Sequence, residues 1–279
     1  MKQKEILLII PYFGKLPNWF PLFLKSASKT DLIHFLLITD DENEQIFPEN
    51  FTIVYQTFKE VKTKFHEKLG ADIYLEIPYK LCDYKPTYGF VFNEFVTDYK
   101  FWGYCDIDLI FGDIDRYLRE INYSSYDRLF PHGHLTIYRN TAEINVLFKT
   151  KNVDKIPSVF NFEFATGTTY PCHFDEIGMN FIVENSSLKY FRNSFSRNTH
   201  YLSKNLTTAG PTGKYPEIIY YQDRSVIVSN LVEGKIVDEE IMYIHLISKK
   251  DLKILLPIEN DFIMFVKGFL PLEKHDKFR

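Results

Sequence analysis

The sequence predicts an α/β protein with a mainly parallel central sheet flanked by helices, and three observations predict it. Short, continuously apolar runs such as "EILLII" (5–10) and the start of "IHFLLITDD" (33–41) have the length of strands buried on both faces. Through the first 115 residues these runs alternate with helix-like segments, the order a parallel sheet needs for its crossovers. Prolines, glycines or acids close the runs, as turns at strand ends require.

Taken in order, "EILLII" is stopped by Pro11, and "WFPLFLKSASK" follows as a helix. The run 33–41 is a second buried strand ending in two acids, and "FTIVYQT" (51–57) has the alternation of a third. "TKFHEKLG" (63–70) reads as a helix ended by Gly70, which suits the residue just past a helix C-terminus. A helix is expected to begin close to Pro86 in "KPTYGFVFNEFV" (85–96), and "KFWGYCDIDLIFG" (100–112) is again a strand. Beyond Asp115 the pattern loosens. "DRYLREI" (115–121) gives a helical turn or two, "HLTIYRN" (134–140) a strand, and 150–215 is rich in Asn, Ser, Thr, Phe and turn signals. "EIIYYQDRSVIVSNLVEGKIVDEEIMYIHLI" (217–247) reads as short antiparallel strands. With no linker, low-complexity tract or internal repeat, the expectation is one domain over 1–279. A nucleotide-type half (1–115) is followed by an irregular half (116–250) and a tail (251–279).

Composition narrows the function classes. Hydrophobic residues are 45% and charged residues 25% of the 279, as in ordinary globular proteins, but 26 Phe and 19 Tyr are many. Most of these rings are needed for a core, and some can line pockets for flat ligands. A net charge of −4 provides no basic field, so nucleic acid is not an expected partner. Cys82, Cys105 and Cys172 are odd in number and widely spaced, which fits a reducing compartment rather than a disulfide framework. The apolar run before Pro11 is short for a signal peptide, and no stretch reaches the roughly 18 apolar residues that cross a bilayer. A cytoplasmic location is therefore expected. From Lys249 to Arg279 seven Lys/Arg face five Asp/Glu, which reads first as an ordinary solvated closing segment and second as a surface for peripheral contact with an anionic membrane.

Ligands of open α/β sheets bind outside the carboxyl ends of the strands. "IPYFGK", "ITDD" and "CDID" end three of the expected strands. Within a strand Asp106 and Asp108 project to the same face. Two carboxylates so close repel each other unless a cation neutralises them, and oxygen ligands beside a phosphate-bearing molecule suit Mg²⁺ or Mn²⁺. "GPTGKY" (210–215) lacks the spacing and the Ser or Thr of a P-loop, and neither a dinucleotide fingerprint nor a G-x-S-x-G elbow occurs. "HGH" (132–134) reads as a polar loop entering the next strand.

The order of "IPYFGK", "ITDD", "PYKLCDYKPTYGFVF", "FWGYCDIDLIFGDI", "HLTIYRN", "FDEIGMN" and "YIHLISKK" resembles bacterial GT-A-type glycosyltransferases of surface and capsular polysaccharide synthesis. The likeness runs from about residue 5 to 250 and is most specific at 78–114 and 241–250. It implies a GT-A-type (Rossmann-like) domain. Its function would be to move a sugar, a hexose by expectation, from a nucleoside diphosphate donor such as a UDP-sugar to a growing glycan or lipid-linked acceptor. Asp106 and Asp108 would hold the metal, Asp106 also lying towards the ribose or sugar. Pro11, Tyr12 and Asp40 would frame the nucleoside, and Lys85 and Lys80 would reach the sugar or phosphates. Asp175 and Glu176 would act near the reacting sugar, as general base if the enzyme inverts and as orienting acid if it retains. His245 would complete the metal shell, with Lys249 or Lys250 on the diphosphate. The competing reading from paired aspartates is a metal-dependent phosphohydrolase or nucleotidyltransferase. A non-catalytic carbohydrate-binding protein is the third.

Overall fold

The computed structural model describes residues 4–151, 160–202, 205–209, 218–233, 235–247, 252–254, 257–258, 260–265 and 268–272. Its chain forms two compact units interleaved in sequence: 1–16, 31–106 and 122–194 make the first, and 17–30, 107–121 and 195–279 the second.

A seven-stranded sheet organises the first unit, in the order Phe51–Tyr55, Ile33–Thr39, Lys4–Tyr12, Tyr99–Cys105, Leu135–Arg139, Arg128–His132 and Tyr190–Phe191. The first four strands run parallel, as the alternating sequence predicts. Leu135–Arg139 is antiparallel to both of its neighbours, so the sheet is mixed, with this one strand reversed among six that share a direction. The reason is local: Gly133 and His134 return the chain directly from one strand to the next, and so short a connection can only make a hairpin. Ile6, Leu8 and Ile9 in the interior strand have no exposed surface, which is why their run shows no alternation.

Helix Phe58–Leu69 starts earlier than the sequence pattern indicates. Thr57 and Glu60 form a capping box: the Thr57 hydroxyl accepts from the Glu60 amide at 3.3 Å, and the Glu60 carboxylate accepts from the Thr57 amide at 2.7 Å. The helix buries Val61 and Phe65, and the Phe65 ring meets Tyr84, Tyr88 and Phe92 edge-on. The helix expected over 85–96 is broken into a 3₁₀ turn (Lys85–Thr87) and two short helices, Tyr88–Val91 and Asn93–Val96. Pro86 brings no N–H to a longer ladder, and Phe92 leaves helical geometry at ψ 35°. Gly89 is required here, since a Cβ would collide with the Trp102 indole.

Among its described residues the second unit holds two sheets. In one, Tyr243–His245 lies between Ser196–Leu202, parallel to it, and Leu109–Phe111, antiparallel to it. The other is six-stranded and is antiparallel except where Lys253–Ile254 meets Gly268–Pro271. The antiparallel expectation for 217–247 agrees with Ile218–Gln222, Ser225–Val232 and Lys235–Ile241. The run 100–112 is not one strand. Tyr99–Cys105 ends, residues 106–108 turn, and Leu109–Phe111 starts in a different sheet.

Candidate metal centre

That break positions the candidate site. Asp106 and Asp108 stand close because a turn carries both, not because a strand aligns their side chains. Asp108 is only 3% exposed, and its carbonyl accepts from the Leu246 amide at 2.9 Å. The antiparallel register pairs His245 with Leu109, so the imidazole arrives next to Asp108. His245 Nε2 lies 3.5 Å from Asp108 Oδ2.

The far side of the imidazole is also fixed. His245 pairs with Asn198 in the parallel register, and Asn198 Oδ1 lies 3.0 Å from His245 Nδ1. A carbonyl oxygen accepts, so Nδ1 donates there, and Nε2, on the Asp108 side, is the nitrogen a metal would take. Thr199 steadies the same segment, donating to the His245 carbonyl at 3.3 Å and accepting from the Ile247 amide at 3.0 Å. Asp106 follows two residues before Asp108 on one peptide. One ligand atom from each of Asp106, Asp108 and His245 lies within 4.8 Å of the others. Two hard carboxylates and one imidazole suit Mn²⁺ or Mg²⁺, and the donor set fits. The three residues could hold a metal ion.

In the first unit, Asp106 belongs to a charged cluster. Lys85 Nζ donates to Asp106 Oδ1 at 2.6 Å and to the Gly133 carbonyl at 2.8 Å, and lies 3.7 Å from Asp175 Oδ2. Burial alone would lower the Lys85 ammonium, but the Asp106 and Asp175 carboxylates outweigh it and hold the group raised. Asp175, 5% exposed, is pushed up to about 7, chiefly by burial, with Lys85 acting the other way and the Asp106, Asp83 and Glu176 charges adding to the rise. Glu176 behaves oppositely. Its hydrogen bond from His132, at 3.3 Å from Nδ1, holds it below the usual carboxylate range. Gly133 lies against Asp175 so closely that a Cβ would collide with the carboxylate.

Residues 8–273 match DUF6625, a family of unknown function. The chain belongs to that family. No curated protein matches it.

The remaining expected site residues of this DUF6625 chain fall into three groups. Pro11 and Tyr12 end the strand Lys4–Tyr12, and Asp40 follows the neighbouring strand. Burial, helped by Asp41, raises the Tyr12 phenol. Asp40 Oδ1 accepts from the Gly14 amide at 2.6 Å and Asp41 Oδ2 from the Leu16 amide at 2.7 Å, so the acid pair shapes the loop after the first strand. Gly14 has φ +88°, a geometry that favours glycine. Lys80 does not fit the ligand-contacting role expected of it. Its side chain has no exposed surface, and its ammonium donates to Asp83 (2.8 Å), Thr168 Oγ1 (3.2 Å) and the Tyr170 carbonyl (2.6 Å). The charge is held inside by these partners instead of reaching a phosphate. Lys249 and Lys250 lie outside the described residues, as do all the other Lys and Arg of the C-terminal segment except Lys253.

Sequence reasoning missed three participants. Asp83, with no exposed surface, accepts from the Cys172 amide (2.8 Å to Oδ2) and the Phe174 amide (3.0 Å to Oδ1). It thereby fixes the backbone that leads into Asp175. His132, read as part of a polar loop, meets Glu176, and Asn198 sets the His245 tautomer. Only the "HGH" motif was a visible signal. Asp83 and Asn198 look in sequence like any polar residue near a strand or helix.

Among the described residues no helix is long and apolar enough to cross a membrane.

Proposed function

We propose that this protein is a metal-dependent glycosyltransferase of GT-A type. It takes a sugar from a nucleoside diphosphate donor, with a UDP-hexose expected, and delivers it to a growing glycan or lipid-linked acceptor. The observation that carries this reading is the approach of Asp106, Asp108 and His245 to within 4.8 Å. When bound there, a divalent cation supplies positive charge where the departing diphosphate gathers negative charge.

The chain's own residues supply the rest. Pro11, Tyr12 and Asp40 lie at the carboxyl ends of adjacent parallel strands, where open α/β sheets receive nucleosides. Lys85 neutralises Asp106 and Asp175 from one side and supplies a fixed cation beside the donor. Asp175, poised near neutrality, suits a group that holds or releases a proton at working pH. Glu176 stays ionised and suits an orienting carboxylate that also holds the His132 ring. In an inverting reaction Asp175 would take the proton of the acceptor hydroxyl, and in a retaining one it would position the sugar.

The test is a thermal-shift screen of sugar nucleotides with and without Mn²⁺, followed by a donor-hydrolysis assay on the hits. The reading expects stabilisation that needs both nucleotide and metal, and slow release of free sugar. Metal-dependent release of inorganic phosphate, without preference for a sugar, would favour the phosphohydrolase reading instead.

A further inference from the structure

Tyr79 stands in the 3₁₀ turn Pro78–Lys80 and is 74% exposed. One exposed ring is ordinary on a protein surface. This one is carried on a fixed turn. Pro78 locks the first position, and the Lys80 amide donates to the Ile77 carbonyl at 3.1 Å. The Lys80 side chain is wholly buried among its three acceptors, and Leu81 is buried after it. The chain next to Tyr79 is thus anchored in the core, while the ring itself is left in water.

The turn adjoins the charged cluster of Lys85, Asp106 and Asp175. Burial comes first in raising the Tyr79 phenol, Cys82, Asp106 and Asp175 add to the rise, and Lys85 opposes it. The hydroxyl therefore lies within electrostatic reach of all four groups. These residues all belong to the first unit. On the buried side of the cluster, the Lys85 ammonium sits 5.6 Å from the centre of the Tyr104 ring. Tyr104 has no exposed surface, and its hydroxyl donates to the Asp175 carbonyl at 3.2 Å. One aromatic residue supports the cluster from within, and Tyr79 offers a second from the solvent side.

A hexose carries two kinds of surface, hydroxyl groups around its rim and C–H groups on its faces. Charged and polar groups recognise the first, and the flat face of an aromatic ring recognises the second. A tyrosine on a rigid turn makes that contact at little entropic cost. From the exposed ring, its anchored turn and the adjoining cluster, we infer that Tyr79 is the platform for the donor's sugar. The C–H face of the hexose lies on the Tyr79 ring while the sugar hydroxyls reach Lys85 and Asp175. The inference rests on the proposed transfer reaction and names the contact that recognises the sugar rather than the nucleotide.

The test is titration calorimetry of the whole protein in saturating Mn²⁺ with UDP, UDP-glucose and UDP-galactose. Tyr79→Ala should lower the ratio of UDP-hexose affinity to UDP affinity about fivefold, the size of one aromatic contact, for at least one of the two sugars. Its affinity for UDP itself should stay within about twofold, since the ring touches only the sugar. Tyr79→Phe keeps the ring and should keep the wild-type ratio. Both variants should melt as the wild type does, because the substituted side chain is exposed. A ratio unchanged in Tyr79→Ala for both sugars, or lowered equally in Tyr79→Phe, would overturn the platform and leave the transfer reading intact. A wild type that binds none of the three nucleotides with Mn²⁺ would overturn the transfer reading and the platform with it.

Discussion

Lys85 Nζ stands 2.6 Å from Asp106 Oδ1 and 3.7 Å from Asp175 Oδ2, so a single largely buried ammonium faces two carboxylates. Replacing it by methionine leaves both acids uncompensated. Lys85→Met should lower unfolding free energy by about 3 kcal/mol, as expected when one partner of a buried ion pair is removed. Urea denaturation at pH 8 checks this, and a change below about 0.5 kcal/mol would show that solvent replaces the ammonium.

Asp175 gives a pH dependence with a definite sign. Its folded carboxyl is raised from 3.8 to about 7, first by burial. Between those values the unfolded chain has released a proton that the folded chain keeps, so stability declines as pH rises from about 4 to about 7 and then levels. The raised group contributes fully only below its unfolded value. The span corresponds to on the order of 4 kcal/mol at most. Asp175→Asn should flatten this slope in metal-free protein held in chelator. Melting temperatures across pH 4–8 that fall equally in both proteins would remove Asp175 as the source.

The Lys80–Asp83 pair is predicted to be a structural fixture. Asp83→Ala strands the Lys80 ammonium and frees the amides of Cys172 and Phe174, and should cost about 3–5 kcal/mol. Hydrogen exchange at those two amides should accelerate together. Unchanged protection there would mean that the 168–174 segment is held by something else.

How much of this was legible beforehand depends on the range of the interaction. The parallel strands could be read because complete burial on both faces writes itself into local composition, as at 5–10 and 33–39. The D-x-D was legible as a cluster of charge in an apolar run. Its geometry was not, because the turn at 106–108 exists only where the chain leaves one sheet for another. The antiparallel insertion of Leu135–Arg139 was hidden for a similar reason, since strand direction is set by the connection and not by the strand's own residues. Lys80 was misread because a lysine buried by an acid three residues away looks, in sequence, like a surface pair at helical spacing.

Asn198 offers a finer test of the site. Its Oδ1 fixes the His245 tautomer, so Asn198→Leu should leave the fold stable but lower metal affinity about tenfold, within the range for a group that orients a ligand. Asn198→Asp should preserve or strengthen binding, because a carboxylate also accepts from Nδ1–H. Titration calorimetry with Mn²⁺ distinguishes the two. Equal affinities in both variants would detach Asn198 from the metal.

The central claim is that Asp106, Asp108 and His245 together hold a divalent cation, and electron paramagnetic resonance of Mn²⁺ titrated into the protein tests it most directly. The account predicts one saturable site per chain. Asp108→Ala should lose it, and His245→Ala should weaken it at least tenfold while retaining the wild-type melting temperature within a few degrees. Binding of Mn²⁺ that is the same in His245→Ala, Asp108→Ala and the wild type would contradict it.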